Sequence, residues 1–195
     1  MNARERILDA ASEVMRTKGL TSATTKEIAR VAGCSEGLLY KHFRDKEELL
    51  VHVLKERMPT FTEALDPGRA SVEANLVAVA HGALRFFQRS FPIMASMAAQ
   101  PALMAATRDA MRKYGGGPQH PVDALAEYLR AEQRLGRVAA GAAVQPVAAL
   151  IMGACFQQGF LSYVAEGAEG ADIPESTAVT LVQPLLGALL PARDR

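Results

Sequence analysis

Tyr40, Lys41 and Arg44, with Gly37 one helical turn ahead of them, are the residues of this chain whose types and spacing best suit chemistry on another molecule. At about 100° per residue, with Gly37 set to zero, Tyr40 falls at about 300°, Lys41 at about 40° and Arg44 at about 340°, whereas Leu39 and Phe43 fall at about 200° and 240°. The spacing thus predicts an exposed face with a phenol hydroxyl, two cations and an end without bulk, backed by an apolar face. Glycine costs a helix about 1 kcal/mol relative to alanine, so its presence here points to a partner that comes close. A DNA major groove admits one helix and presents base-edge acceptors and thymine methyls to such groups.

Other chemistries lack their residues. The sequence contains no GxSxG, no HExxH and no phosphate-cradling P-loop, so no catalytic constellation is expected. Cys34 and Cys155 form no CxxC, and the four histidines at 42, 52, 81 and 120 are scattered, so neither a disulfide framework, a metal site nor a cofactor is expected.

The elements that must position the face are legible from periodicity and caps. Ile7, Leu8, Ala11, Val14 and Met15 form one helix stripe, which Gly19 is placed to stop. Thr24 precedes Glu27 by three residues, a capping-box spacing that opens a second helix with Ile28, Val31 and Ala32 as its buried side and ending at Gly33. Ser35 caps the third helix. Asp45 and Glu48 repeat the capping spacing ahead of a fourth, with Leu49, Leu50, Val53 and Leu54 inward. A helix, a three-residue turn and a second helix within residues 24–43 have the size and order of a helix-turn-helix, whose second helix enters the groove.

The stretch TTKEIA (24–29), AGCSEGLLYKHF (32–43) and KEELL (46–50) closely resembles the N-terminal signature of the TetR family of bacterial transcriptional regulators. That resemblance implies an all-α homodimer with an N-terminal three-helix DNA-binding unit, a connecting fourth helix, and a C-terminal domain that binds a small molecule and releases DNA. It places Thr25, Ser35, Gly37, Tyr40, Lys41, His42 and Lys46 at positions that touch bases or phosphates; Thr24, Lys26 and Glu36 complete the expected DNA-contacting set. Glu36 is an awkward member, because a carboxylate near phosphate is repelled unless it accepts from a cytosine amine or pairs with Lys26 or Lys41.

The resulting division is a DNA-binding domain over 1–57 and a ligand-binding and dimerisation domain over 58–195, with Pro59 and the DPG at 66–68 at the junction. Pro59 is expected to bend or hinge the fourth helix. From Ala70 the helical pattern resumes, and FPIMASMAAQPALMAATRDAM, interrupted by Pro92 and Pro101, holds four of the eight methionines. Phe86, Phe87, Phe91, Met94, Met97, Met104, Met111 and Met152 are the expected wall of an apolar pocket, although the same methionines suit ordinary core filling.

A helix over about 122–135 turns Leu125, Tyr128 and Leu129 inward and Glu127, Arg130, Glu132 and Arg134 outward. Residues 138–165 carry no charge, but the purely apolar core PVAALIMGACF is shorter than the eighteen residues expected of a membrane span. Ala149, Gly153, Phe156 and Phe160 on this helix, with Leu181 and Leu185 on the last, are the expected dimer interface; the competing reading is burial within one chain. Pro184 is expected to bend that last helix.

Composition agrees with a folded chain: 49% of its 195 residues are hydrophobic. The start shows no secretory signal, so the cytoplasm is the expected location. Net charge is only +1, and residues 1–57 carry eleven Lys/Arg against nine Asp/Glu, so DNA binding must come from where particular residues point. Three functions remain: a repressor released from a palindromic operator by a small apolar effector, which the sequence favours, a DNA-binding regulator without a ligand, and an enzyme or carrier using the pocket.

Overall fold

The computed structural model describes residues 2–57, 61, 65–114, 117–167 and 170–191. Among these residues the chain is all-helical, with nine helices and no strand. They form two compact units, Met1–Met58 with Arg89–Gly117 and Pro59–Gln88 with Pro118–Arg195. The expected domains thus differ from the observed units: residues 89–117 belong with the N-terminal helices. The reason is α6 (Pro101–Tyr114), which packs on α4 (Lys46–Glu56). Val51, which the sequence left outside the inward set, is accordingly buried with Leu49, Leu50 and Val53.

In the first unit α1 (Ala3–Ser22) is capped by Asn2, whose side chain accepts from the Glu5 amide. Its buried stripe is the expected one, from Ile7 to Met15. At Gly19 φ is +74°, a left-handed value that breaks the helical path before Leu20 turns into the core. α2 (Thr25–Val31) and α3 (Glu36–His42) follow, then α4, capped by Asp45. Arg57 at the end of α4 pairs with Asp9 at 2.6 Å and with Glu5, tying α4 to α1. Pro59 lies outside the described residues.

α5 (Val72–Ala98) runs through Pro92 without a break, and Pro101 is the first residue of α6, where its missing amide hydrogen costs nothing. Pro92 therefore does not interrupt its helix as expected, whereas the chain does break ahead of Pro101, between α5 and α6.

The second unit is built from the first part of α5 with α7 (His120–Arg134), α8 (Val144–Glu166) and α9 (Glu175–Leu189). Leu76, Ala80, Leu84, Leu125, Leu129, Val147, Ala148, Ile151, Cys155 and Val182 form its core. Glu132, expected outward, is fully buried: its carboxylate accepts from the Gly68 amide at 3.2 Å and lies 3.1 Å from the Arg137 guanidinium. A buried charge is tolerable only when so partnered. Asn75 donates to the Tyr128 hydroxyl and to the Arg69 carbonyl, and Arg137 donates to the Ala70 carbonyl. These bonds hold the 66–71 turn, including Ala70 at φ +44°. Burial pushes the Tyr128 hydroxyl up to about 12 and the Cys155 thiol likewise to about 12, so Cys155 is unreactive core.

α8 spans 23 residues and is the one helix among the described residues long and apolar enough to cross a membrane by length and composition alone. The sequence reading undercounted it because Gln157, Gln158 and Ser162 lie within the helix. Its inner face, Val147, Ala148, Ile151, Met152, Cys155 and Gly159, is part of the core of the second unit.

Candidate nucleic-acid interface

α2 and α3 are set by local chemistry at each end. Thr24 accepts from the Glu27 amide at 3.2 Å and starts α2. Glu27 does not return the bond, as a full capping box would; its carboxylate takes Lys18 at 2.6 Å and Arg30 at 2.8 Å. The Arg30 hydrogen bond leads in holding the Glu27 carboxyl down at about 2. At the other end Gly33, at φ +65°, lets the Cys34 amide reach the Ala29 carbonyl at 2.9 Å while its own amide reaches that of Arg30. This is a Schellman closure, which needs the left-handed residue glycine supplies. Ser35 then accepts from the Leu38 amide and starts α3 in a new direction.

Inside, α3 is anchored by Leu39 and Phe43, both buried. The Arg4 guanidinium lies 5.4 Å from the centre of the Phe43 ring and pairs with Glu56 at 2.7 Å, so α1 and α4 hold the anchor from behind. Arg4, ahead of His52, brings the Glu56 carboxyl to about 2.

Outside, Gly37, Tyr40, Lys41 and His42 are exposed, with Tyr40 at 49%. Lys26, also exposed, Lys41 and His42 make no hydrogen bond or ion pair among the described residues. A Cβ on Gly37 would meet nothing closer than Ser35 Oγ at 3.8 Å, so the chain's own packing does not require a glycine there. Thr24 and Ser35 accept at the two helix starts and retain their hydroxyl hydrogens for an outside acceptor.

Three residues differ from expectation. Arg44 lies beyond the end of α3, because Phe43 is already extended; its backbone amide donates to Glu48, so the helical angle assigned to it does not apply. Lys46 directs its ammonium to the Leu20 carbonyl at 2.6 Å, and burial holds it below the ordinary lysine range. It braces α4 on the end of α1. Glu36 pairs with neither Lys26 nor Lys41 but accepts from the Thr25 hydroxyl at 2.8 Å, and the same Thr25 oxygen is 3.3 Å from the Tyr40 hydroxyl.

The remaining expected sites fall as follows. Of the pocket residues, Phe86, Phe87 and Met152 lie in the second unit, whereas Phe91, Met94, Met97, Met104 and Met111 lie in the first. Met152 is core, and Phe86 stacks edge-on with Phe87 and with Phe61, an aromatic the sequence reading did not single out. Ala149, Gly153, Phe156 and Phe160 are all exposed, although Phe156 stacks edge-on with Phe87 of the same unit, ring centres 5.4 Å apart. Leu181 and Leu185 are half-buried against the core of the second unit. Leu150, Leu161 and Val164 on α8 and Val179 on α9 extend the exposed apolar surface; Val164, four residues after Phe160 and three after Leu161, was the missed signal. A groove of about 260 Å³ lined by Gln158, Ser176, Thr177, Thr180 and Leu181 lies on the same unit.

Residues 7–53 match the model of bacterial regulatory proteins of the tetR family. The fatty acid metabolism regulator protein of Bacillus subtilis is 37% identical over 60 residues, 31% of this chain and 31% of that protein. The transcriptional regulator SrpR of Pseudomonas putida is 48% identical over 54 residues, 28% of this chain and 25% of that protein. The chain thus spans between a quarter and a third of the length of these two curated relatives. The fold likeness is longer: the structure of FadR from Bacillus subtilis in complex with stearoyl-CoA superposes with a TM-score of 0.67 at 20% identity, covering 94% of this chain and 98% of that one. Residues 7–53 thus carry the N-terminal module of the tetR family of bacterial regulatory proteins.

Proposed function

We propose that this protein is a sequence-specific DNA-binding transcriptional regulator that acts as a cytoplasmic homodimer and leaves a palindromic operator when a small apolar effector binds. The observation that carries the reading is the outer face of α3. Among the described residues Lys41 and His42 have no partner, a Cβ on Gly37 would meet nothing closer than Ser35 Oγ at 3.8 Å, and the helix is anchored from behind by Leu39 and Phe43. A charged, uncompensated helix face on a helix-turn-helix suits the phosphates and base edges of a major groove. Thr24, Thr25, Lys26, Ser35, Glu36 and Tyr40 surround it. Lys46 serves this face by positioning α4.

Dimerisation is supported by the exposed apolar surface of α8 and α9, on which Leu150 is 60% exposed and Val164 is 64% exposed. Such a surface is costly in water and suits a second copy in a four-helix bundle. Phe86, Phe87, Phe91 and the methionines are retained as the proposed effector-responsive residues. Because a FadR structure holds stearoyl-CoA, long-chain acyl thioesters are the first compounds to try.

The test is a gel shift on duplex DNA from upstream of the protein's own coding sequence, with and without compounds that raise the melting temperature. Retarded, sequence-dependent bands that a stabilising compound dissolves are expected. Binding that no compound relieves reduces the protein to a ligand-independent regulator. Compound binding without any DNA binding returns it to a carrier or enzyme.

A further inference from the structure

The contacts among Thr25, Glu36 and Tyr40 bear on which base the proposed DNA-reading face prefers, and this inference rests on that reading. Glu36 is the first residue of α3 and is exposed, yet among the described residues its carboxylate has no cationic partner. Its one bond is from Thr25, whose hydroxyl donates to Oε1 at 2.8 Å. A threonine hydroxyl carries one hydrogen. In the 3.3 Å contact between Thr25 Oγ1 and the Tyr40 hydroxyl, Tyr40 must therefore be the donor. The bonds run one way, from Tyr40 to Thr25 to Glu36, and consume the hydrogens of both hydroxyls.

What this relay leaves for a partner is acceptors alone: the carboxylate oxygens of Glu36 and the phenol lone pairs of Tyr40. The major groove offers two donors, the N4 amine of cytosine and the N6 amine of adenine. Adenine carries its N7 acceptor beside that amine, where a carboxylate is repelled and no hydrogen remains to satisfy it. Cytosine presents its amine without an acceptor on that edge. We infer that Glu36, held by the Tyr40–Thr25 relay, reads a cytosine amine at one position of each operator half-site.

The experiment is selection of bound duplexes from a randomised library by the full chain, by Glu36→Gln and by Thr25→Val, each first shown to unfold cooperatively. Removing a negative charge tightens binding to every sequence, so the readout is base preference at each position, not affinity. The parent protein should enrich cytosine at one half-site position by about tenfold or more, the size of one good base contact. Glu36→Gln, which both donates and accepts, should move that one position toward adenine. Thr25→Val keeps the carboxylate but frees it, and should lower the cytosine preference several-fold without moving other positions. An unchanged profile for Glu36→Gln, with a specific consensus still present, overturns the inference and leaves the regulator reading intact. A parent protein that yields no consensus overturns both.

Discussion

On α3 the surface that the fold leaves open is polar and cationic; on α8 it is apolar. Lys41, His42 and Tyr40 make the first, Leu150, Phe156, Phe160 and Val164 the second. Both faces nevertheless carry a glycine in helical backbone that its own unit does not need. A Cβ on Gly37 meets only Ser35 Oγ at 3.8 Å, and one on Gly153 meets nothing within 4 Å. Gly159, six residues beyond Gly153 on the same helix, is different: a Cβ there falls 2.7 Å from that of Phe87 and 2.9 Å from the Gln88 amide nitrogen. Each mid-helix glycine forgoes about 1 kcal/mol relative to alanine. At Gly159 the close approach of α5 explains it, whereas at Gly37 and Gly153 no contact among the described residues does. The chemistry around each differs, and the proposed partners differ with it: nucleic acid for the cationic face and a second copy for the apolar one.

Placing the same residue at the two glycines of α8 should separate internal from external demand most sharply. Gly159→Leu overpacks the α5–α8 contact and should lower stability by about 3 kcal/mol or more, read as a lower denaturant midpoint. Near-normal stability would show that α5 and α8 part easily. Gly153→Leu should leave chain stability nearly unchanged but weaken self-association by about 2–3 kcal/mol, seen as monomer in sedimentation. Operator affinity should fall with it, since half-sites about 34–36 Å apart need both subunits. An intact dimer would remove Gly153 from the interface.

On the cationic face the effects should be smaller and confined to DNA. Lys41→Ala or Tyr40→Ala should each weaken operator binding by about 1–2 kcal/mol in a fluorescence titration, with an unchanged melting curve. Unaltered affinity in both would break the assignment of this face. Gly37→Ala should stabilise α3 by up to about 1 kcal/mol while weakening operator binding. A variant that gains stability at full affinity would mean that no partner approaches Gly37 closely. Lys46→Ala provides the contrast within this group. Because its ammonium holds the Leu20 carbonyl, the melting temperature should fall along with DNA affinity.

Much of the first unit was legible in the sequence. The caps at Thr24, Ser35 and Asp45, the left-handed Gly33 and the buried pair Leu39 and Phe43 all stand where periodicity and turn chemistry put them. Val31, expected on the buried side of α2, is instead its last residue and is 43% exposed. The angular reading of Arg44 assumed that α3 continues, and the pairings proposed for Glu36 considered only lysines near in sequence, whereas Thr25 reaches it from the start of α2.

The second unit was less legible because α8 is apolar on nearly every side, so its pattern carries no phase saying which side faces the core.

What the sequence determined by itself is the set of local elements and the kind of surface on α3, because a cap, a Schellman turn or an apolar stripe is decided by residues within about four positions of one another. What only the tertiary structure decided depends on groups far apart in the chain. Residues 89–117 join the first unit because α6 covers α4, and Glu132 is buried because Gly68 and Arg137 reach its carboxylate. Gly159 rather than Gly153 takes the closest internal contact because Phe87 lies against it. Those outcomes follow from long-range packing, in which a helix side becomes inner or outer only when a distant neighbour arrives to cover it.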